Sequence, residues 1–174
     1  MSKLRYLMIV QCFLLFSNTC YSLNSAIGLS IVEENDDRFR PGISINFENK
    51  HIEGNLHHFS RTYGPVFDQL TLLNIGRKFK LPIQKKFFAS YGASILDERT
   101  TISYEQWGDT EFNQTDQKFN LGLYLGVSWK NTFWKHWYVN VSCDSAIFPA
   151  GLVGGLLLAT GRKQLISVAM GFHW

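Results

Sequence analysis

The stretch KFNLGLYLGVSW, residues 118–129, carries an apolar side chain at every second position. Phe119, Leu121, Leu123, Leu125, Val127 and Trp129 share one face. Asn120, Gly122, Tyr124, Gly126 and Ser128 share the other. A period of two belongs to a β-strand, not a helix. The alternation recurs along the chain. RPGISINFENK sets Ile43, Ile45 and Phe47 against Gly42, Ser44, Asn46 and Glu48. FFASYGASI sets Phe87, Ala89, Tyr91, Ala93 and Ile95 against Phe88, Ser90, Gly92 and Ser94. WYVNVSCD sets Trp137, Val139, Val141 and Cys143 against Tyr138, Asn140, Ser142 and Asp144. The chain closes on QLISVAMGFHW, with Ile166, Val168, Met170, Phe172 and Trp174 alternating to the last residue. The pattern predicts eight strands, near 25–33, 41–49, 52–61, 69–80, 87–97, 118–129, 136–146 and 163–174. No segment reads as a helix, and no linker or internal repeat divides the chain.

Two all-β solutions suit this alternation. In a soluble sandwich or lipocalin-like barrel, the apolar face forms the core and the other face meets water. Here the other face is Gly, Ser, Asn, Tyr and Glu, with few charges, and makes a poor solvent surface. It suits the interior of a small barrel, which side chains fill. The apolar face then points outward to lipid. Strands near ten residues also match a tilted bilayer crossing. The predicted fold is therefore all-β: an antiparallel up-and-down transmembrane β-barrel of about eight strands.

The N-terminus agrees with export. Lys3 and Arg5 precede an apolar run from Leu7 to Phe16, broken only by Gln11, and a polar stretch from Ser17 to Ser22 follows. This is the order of a secretory signal peptide. The run is too short to span a membrane as a helix. The sequence thus divides into a signal peptide, 1–22, and a barrel domain, 23–174. Cys12 and Cys20 leave with the signal, and Cys143 alone cannot form an internal disulfide. Losing Lys3 and Arg5 lowers the formal charge from +3 to +1, which gives no argument for a nucleic-acid partner. No phosphate loop, zinc signature or nucleotide motif is present. His51, His57, His58, His136 and His173 lack ligand spacing, so no metal and no cofactor are predicted.

The connections fall into two classes. NKH, LPIQKK and KNTFWKH are short. ENDDRFR, RTYGPVFD and DERTTISYEQWGDTEFNQTDQ lie on the other side and include a much longer, acidic one. Short turns facing the periplasm and longer loops facing outward is the transmembrane-barrel arrangement. Trp129, Phe133, Trp134, Trp137 and Trp174 gather at the short-turn edge; Tyr63, Tyr104, Trp107 and Phe148 are candidates for the opposite girdle. Arg77 interrupts the outward set Leu73, Ile75 and Phe79, which calls for a bulge or a snorkelling side chain. AIFPAGLVGGLLLATGRK, before the last strand, reads either as a tall hairpin turning at Gly161-Arg162 or as a segment folded over the mouth.

The signal, the alternating strands and the terminal VAMGFHW together resemble small bacterial outer-membrane barrels of the OmpA/OmpX type. That resemblance implies a monomer in the outer membrane, with a structural or surface-interaction role. It also implies that assembly machinery reads the last strand, with Trp174 at the position of the terminal aromatic. Outer-membrane lipids and lipopolysaccharide are the expected partners, with Arg38, Arg40 and Arg61 placed to meet phosphates. An interior ion-pair network is expected from Glu48, Glu53, Arg77, Lys78 and Lys80, filling the barrel rather than conducting. A narrow pore is the alternative that such an interior leaves open.

One motif carries possible chemistry. In HHFS, His58 and Ser60 share a face of one strand. The pair is similar to the His-x-Ser of the outer-membrane lipid A 3-O-deacylases. By that resemblance His58 is the base, Ser60 the nucleophile and Asp68 the nearest acid. The family's motif lies late in its chain and is followed by Asn. Here it is early and followed by Arg61. Polar residues at the loop-side rim are therefore the leading reading of His57, His58 and Ser60, and the esterase is the alternative.

Overall fold

The computed structural model describes residues 24–33, 39–82, 85–106, 110–149 and 159–172; between 104 and 113, and at 159–160, only the backbone is described. Residues 1–22, expected to be a signal peptide, and Arg38, Trp107, His173 and Trp174 lie outside the described residues. Eight strands form a closed antiparallel barrel in chain order. They are β1 (Asn24–Glu33), β2 (Phe39–Glu48), β3 (Ile52–Tyr63), β4 (Val66–Lys80), β5 (Phe87–Gln106), β6 (Thr110–Thr132), β7 (Trp137–Pro149) and β8 (Ala159–Phe172). The last strand pairs with β7 on one side and with β1 on the other, from Ser25↔Phe172 to Glu33↔Gln164. A closed barrel leaves no lipid-facing backbone unpaired, which a bilayer demands. The terminal alternation is thus the closing seam.

The polarity is inside out, as the composition of the two faces required. Ile27, Leu29, Leu121, Leu123 and Leu125 are each more than 60 % exposed. Ser30, Ser44, Asn46, Asn55, Asn74, Ser94 and Ser167 are buried between the walls. On β8, Met170 is 53 % exposed while its neighbour Ala169 is 2 % exposed.

The structure moves several boundaries. The segment expected as the longest loop is mostly strand: β5 and β6 pair continuously from Phe87↔Trp129 to Gln106↔Thr110. Alternation fades there because a ribbon outside the barrel has no buried face to enforce it. RTYGPVFD, assigned to the long-loop class, closes in two residues, Gly64-Pro65, between Tyr63 and Val66. Gly64 takes φ 55°, a left-handed backbone that glycine adopts without strain. Gly161 and Arg162 do not form a turn. They lie within β8, paired with Phe148 and Ile147. At Arg77 the ladders to Ile52 and Tyr91 continue without a register shift, so there is no bulge. Its exposed side chain stands on the outer face near the short-turn end, where the head reaches water.

Candidate functional site

The lumen is built in layers, and each layer follows from which residues share the inward face. At the short-turn end Glu48 is held by Lys78 and Lys130 together. The Lys130 ammonium also lies 3.7 Å from the Tyr138 ring centroid, and Lys78 lies 5.0 Å from that of Phe88. Glu53 is buried nearby. Of the expected ion-pair set, Glu48, Glu53 and Lys78 do turn inward. Arg77 points outward, and Lys80 is exposed at the end of β4.

Above this lies a polar layer centred on Asp144 of β7, which is 2 % exposed. Its Oδ2 accepts from Asn55 Nδ2 at 3.2 Å and from Asn74 Nδ2 at 3.4 Å. Asn46 Nδ2 donates to Asn55 Oδ1 at 2.8 Å, and Ser94 Oγ donates to Asn74 Oδ1 at 2.7 Å. His57 Nε2 stands 3.8 Å from the same carboxylate oxygen, and its ring stacks on Phe59. Five strands thus meet through one carboxylate network. Sequence reasoning missed Asp144 and Lys130 as network members. Asp144 was legible by parity: it shares a face with Tyr138, Asn140 and Ser142. Its partners belong to distant strands and leave no local signal.

The next layer is apolar. Val32, Phe59, Leu70, Leu72, Leu96, Tyr124, Ala146, Phe148 and Leu165 form one buried cluster inside the barrel. Phe148, expected in the outer girdle, is part of this plug and 2 % exposed, because its parity matches Ala146 and Asp144. Phe39, Phe67 and Phe119 are the aromatics exposed on the outer face toward that end. Beyond the plug, Asp68 lies 3.8 Å from Arg40 and 3.5 Å from Arg61, whose guanidinium sits 4.8 Å from the Tyr63 ring centroid.

The proposed triad residues do not converge. His58 and Ser60 do share the outer face of β3. Their register partners on β4 are Thr71 and Gln69. His58 Nδ1 is 3.0 Å from Thr71 Oγ1, so a hydroxyl stands where a triad needs a carboxylate. Asp68 is on strand β4 rather than in a loop. It is opposite Arg61 and turned into the barrel, away from the face of His58. Among the described residues no group of three His, Cys, Asp or Glu side chains is placed to hold a metal. Cys143 is free and exposed on the outer face.

Outside the barrel the main feature is the ribbon. β6 pairs with β7 only from Leu123↔Ile147 to Thr132↔Tyr138. Residues 110–122 pair with β5 alone; Ile147 and Phe148 of β7 still lie beside Gly122, and among the described residues no strand lies beside 110–120. At about 3.3 Å per residue this is roughly 40 Å of strand. Cross-strand polar pairs brace it: Thr101 Oγ1 with Thr115 Oγ1 at 3.2 Å, and Gln117 Nε2 to Asp97 Oδ1 at 2.7 Å.

The closed eight-strand barrel has counterparts among solved structures. It matches Ail, the attachment invasion locus protein of Yersinia pestis, with TM-score 0.52 and 11% identity over 88% of this chain and 97% of that one. The fold is that of the small outer-membrane β-barrels. Ail in complex with the heparin analogue sucrose octasulfate matches this barrel with TM-score 0.53 and 12% identity, over 88% of this chain and 97% of that one. Neisserial surface protein A matches it with TM-score 0.49 and 11% identity, over 88% and 96% of the two chains. No protein-family model matches the sequence, and no curated protein does. Barrels of this fold reside in the bacterial outer membrane, and the apolar belt of this one meets that requirement.

Proposed function

We propose that this chain is a surface-interaction barrel of the bacterial outer membrane, presenting the β5–β6 ribbon to a partner outside the cell. The observation that carries the reading is the ribbon edge at residues 110–120, beside which no described strand lies. An unpaired strand edge offers a row of backbone donors and acceptors on which an extended segment can add. The plug supports this reading over transport: Phe59, Leu70 and Leu72 are fully buried across the lumen. The separation of Asp68 from His58 supports it over hydrolysis. The likeness to Ail, an attachment invasion locus protein, points the same way. In this reading the chain acts as a monomer in contact with outer-membrane lipid and lipopolysaccharide, is exported by residues 1–22, and is assembled through the strand ending at Trp174.

The test is a trimmed ribbon. Replacing residues 103–113 by a two-residue Asn-Gly turn joins the paired Ile102 and Gln114 and shortens the hairpin while keeping the wall. The trimmed barrel should still shift on a gel between unheated and boiled samples. Cells carrying it should lose adhesion to epithelial cells or to matrix-coated plates. Undiminished adhesion by a folded, trimmed barrel would place the function elsewhere.

A further inference from the structure

We propose that the short-turn end of the barrel is a binding ring for the headgroups of anionic glycerophospholipids. The inference rests on the membrane-barrel reading but concerns the end opposite the ribbon. Lys50, Lys80, Lys85, Lys86 and Lys135 are exposed there, and Arg77 stands just above on the outer face. Among the described residues of this end no Asp or Glu is exposed. Glu48 and Glu53 turn into the lumen, and Glu48 is neutralised by Lys78 and Lys130. The ribbon end is different. There Arg99, Lys118 and Lys163 stand within 3.6 Å of Asp97, Asp116 and Glu98. Charge at the ribbon end is locally compensated; the exposed charge among the described residues of the short-turn end is of one sign.

Hydrogen bonds brace the described residues of the turns that carry these cations. Asn49 Oδ1 accepts from the backbone of His51 at 2.9 Å and of Ile52 at 2.7 Å, and Lys78 N donates to His51 O at 2.9 Å. Lys130 N donates to Lys86 O at 2.9 Å, and Lys86 Nζ to Asn131 Oδ1 at 2.6 Å. The cations are therefore spread over the three short turns of the rim, on braced backbone.

A lipid fits this ring better than a soluble polyanion because the cations adjoin apolar surface. Trp134 is 73 % exposed. Trp134, Lys135, His136, Trp137 and Phe172 line an open cavity of about 210 Å³, with the Phe172 ring 5.4 Å from both the His136 and Trp137 rings. Indole beside ammonium, at the edge of a lipid-facing belt, matches the boundary between acyl chain and phosphate. A basic segment at a membrane surface gains about 1 kcal/mol per Lys or Arg from anionic lipid, a factor of about five, and salt screens this gain.

The experiment is native mass spectrometry of the purified barrel in uncharged detergent, with phosphatidylglycerol or phosphatidylethanolamine added. Retention of phosphatidylglycerol over phosphatidylethanolamine is expected, falling at least tenfold in a variant carrying Lys50→Gln, Lys85→Gln, Lys86→Gln and Lys135→Gln. Lys135→Gln alone should weaken it several-fold, and so should Trp134→Ala. A ribbon-end control with Arg99→Gln, Lys118→Gln and Arg162→Gln should retain lipid like the parent. Heat-dependent gel mobility reads folding, so loss of the barrel is told apart from loss of lipid. Equal retention of both lipids, equal loss in the ribbon-end control, or displacement of the lipid by millimolar inorganic phosphate would each overturn the proposal. The last outcome would mark a site for free anions.

Discussion

Asp144 is the residue whose removal tests the lumen most sharply. Its carboxylate is 2 % exposed and accepts from Asn55 at 3.2 Å and Asn74 at 3.4 Å. In Asp144→Ala both amides keep their donors and lose that acceptor. A buried donor left without its partner costs about 1–3 kcal/mol, so the two together set an expected loss of ~2–6 kcal/mol. Asp144→Asn behaves differently. It keeps one oxygen of nearly the same position, so both donors retain an acceptor. What it loses is the difference between a carboxyl and an amide oxygen as acceptor, ~1 kcal/mol. The assay is equilibrium unfolding in urea of the barrel refolded into lipid vesicles, followed by tryptophan fluorescence and gel mobility, with unchanged slope required for comparison. Asp144→Ala within ~0.5 kcal/mol of the parent would refute the network, because such small changes are typical of surface substitutions. A loss in Asp144→Asn as large as in Asp144→Ala would instead assign the stabilisation to the charge and not to acceptance.

Three further outcomes follow from the same barrel. Phe59→Ala with Leu70→Ala should destabilise by several kcal/mol, since each large-to-small change in a packed core costs about 2–5 kcal/mol, and should raise single-channel conductance in planar bilayers above that of the parent; an unchanged conductance in a folded double variant would mean that the plug is not the barrier. Met170→Lys places a charge on the lipid face and should lower stability by ~2–4 kcal/mol if near the midplane, while Ala169→Lys should also fail to fold well, because Ala169 is buried and a Cβ added at Gly28 would already meet its Cβ at 2.7 Å. His58→Ala and Ser60→Ala should leave ester hydrolysis and the lipid A mass spectrum of expressing cells unchanged; a loss of one acyl chain that requires Ser60 would restore the esterase reading.

The walls of this barrel were legible in the sequence because a strand's period is local. Parity in KFNLGLYLGVSW and QLISVAMGFHW determined which side chains face together, and the uncharged, small character of one set determined that it faces inward. Those two properties need no knowledge of neighbours. The ends of the strands were less legible. The upper parts of β5 and β6 have no buried face, so cross-strand pairs such as Gln117 with Asp97 hold them without an alternating signature. The contents of the lumen were not legible at all beyond their parity. Asp144 meets Asn55 and Asn74, which lie 89 and 70 residues away, and which inward residues meet depends on the stagger of eight strands around the closed wall. The same stagger set Phe148 among Phe59 and Leu70 rather than at the rim. His58 and Ser60 could be placed on one face by counting. That Thr71 faces His58 while Asp68 turns inward was decided by the β3–β4 register and the two-residue turn at Gly64-Pro65, because a shift of one residue exchanges the two faces of a strand.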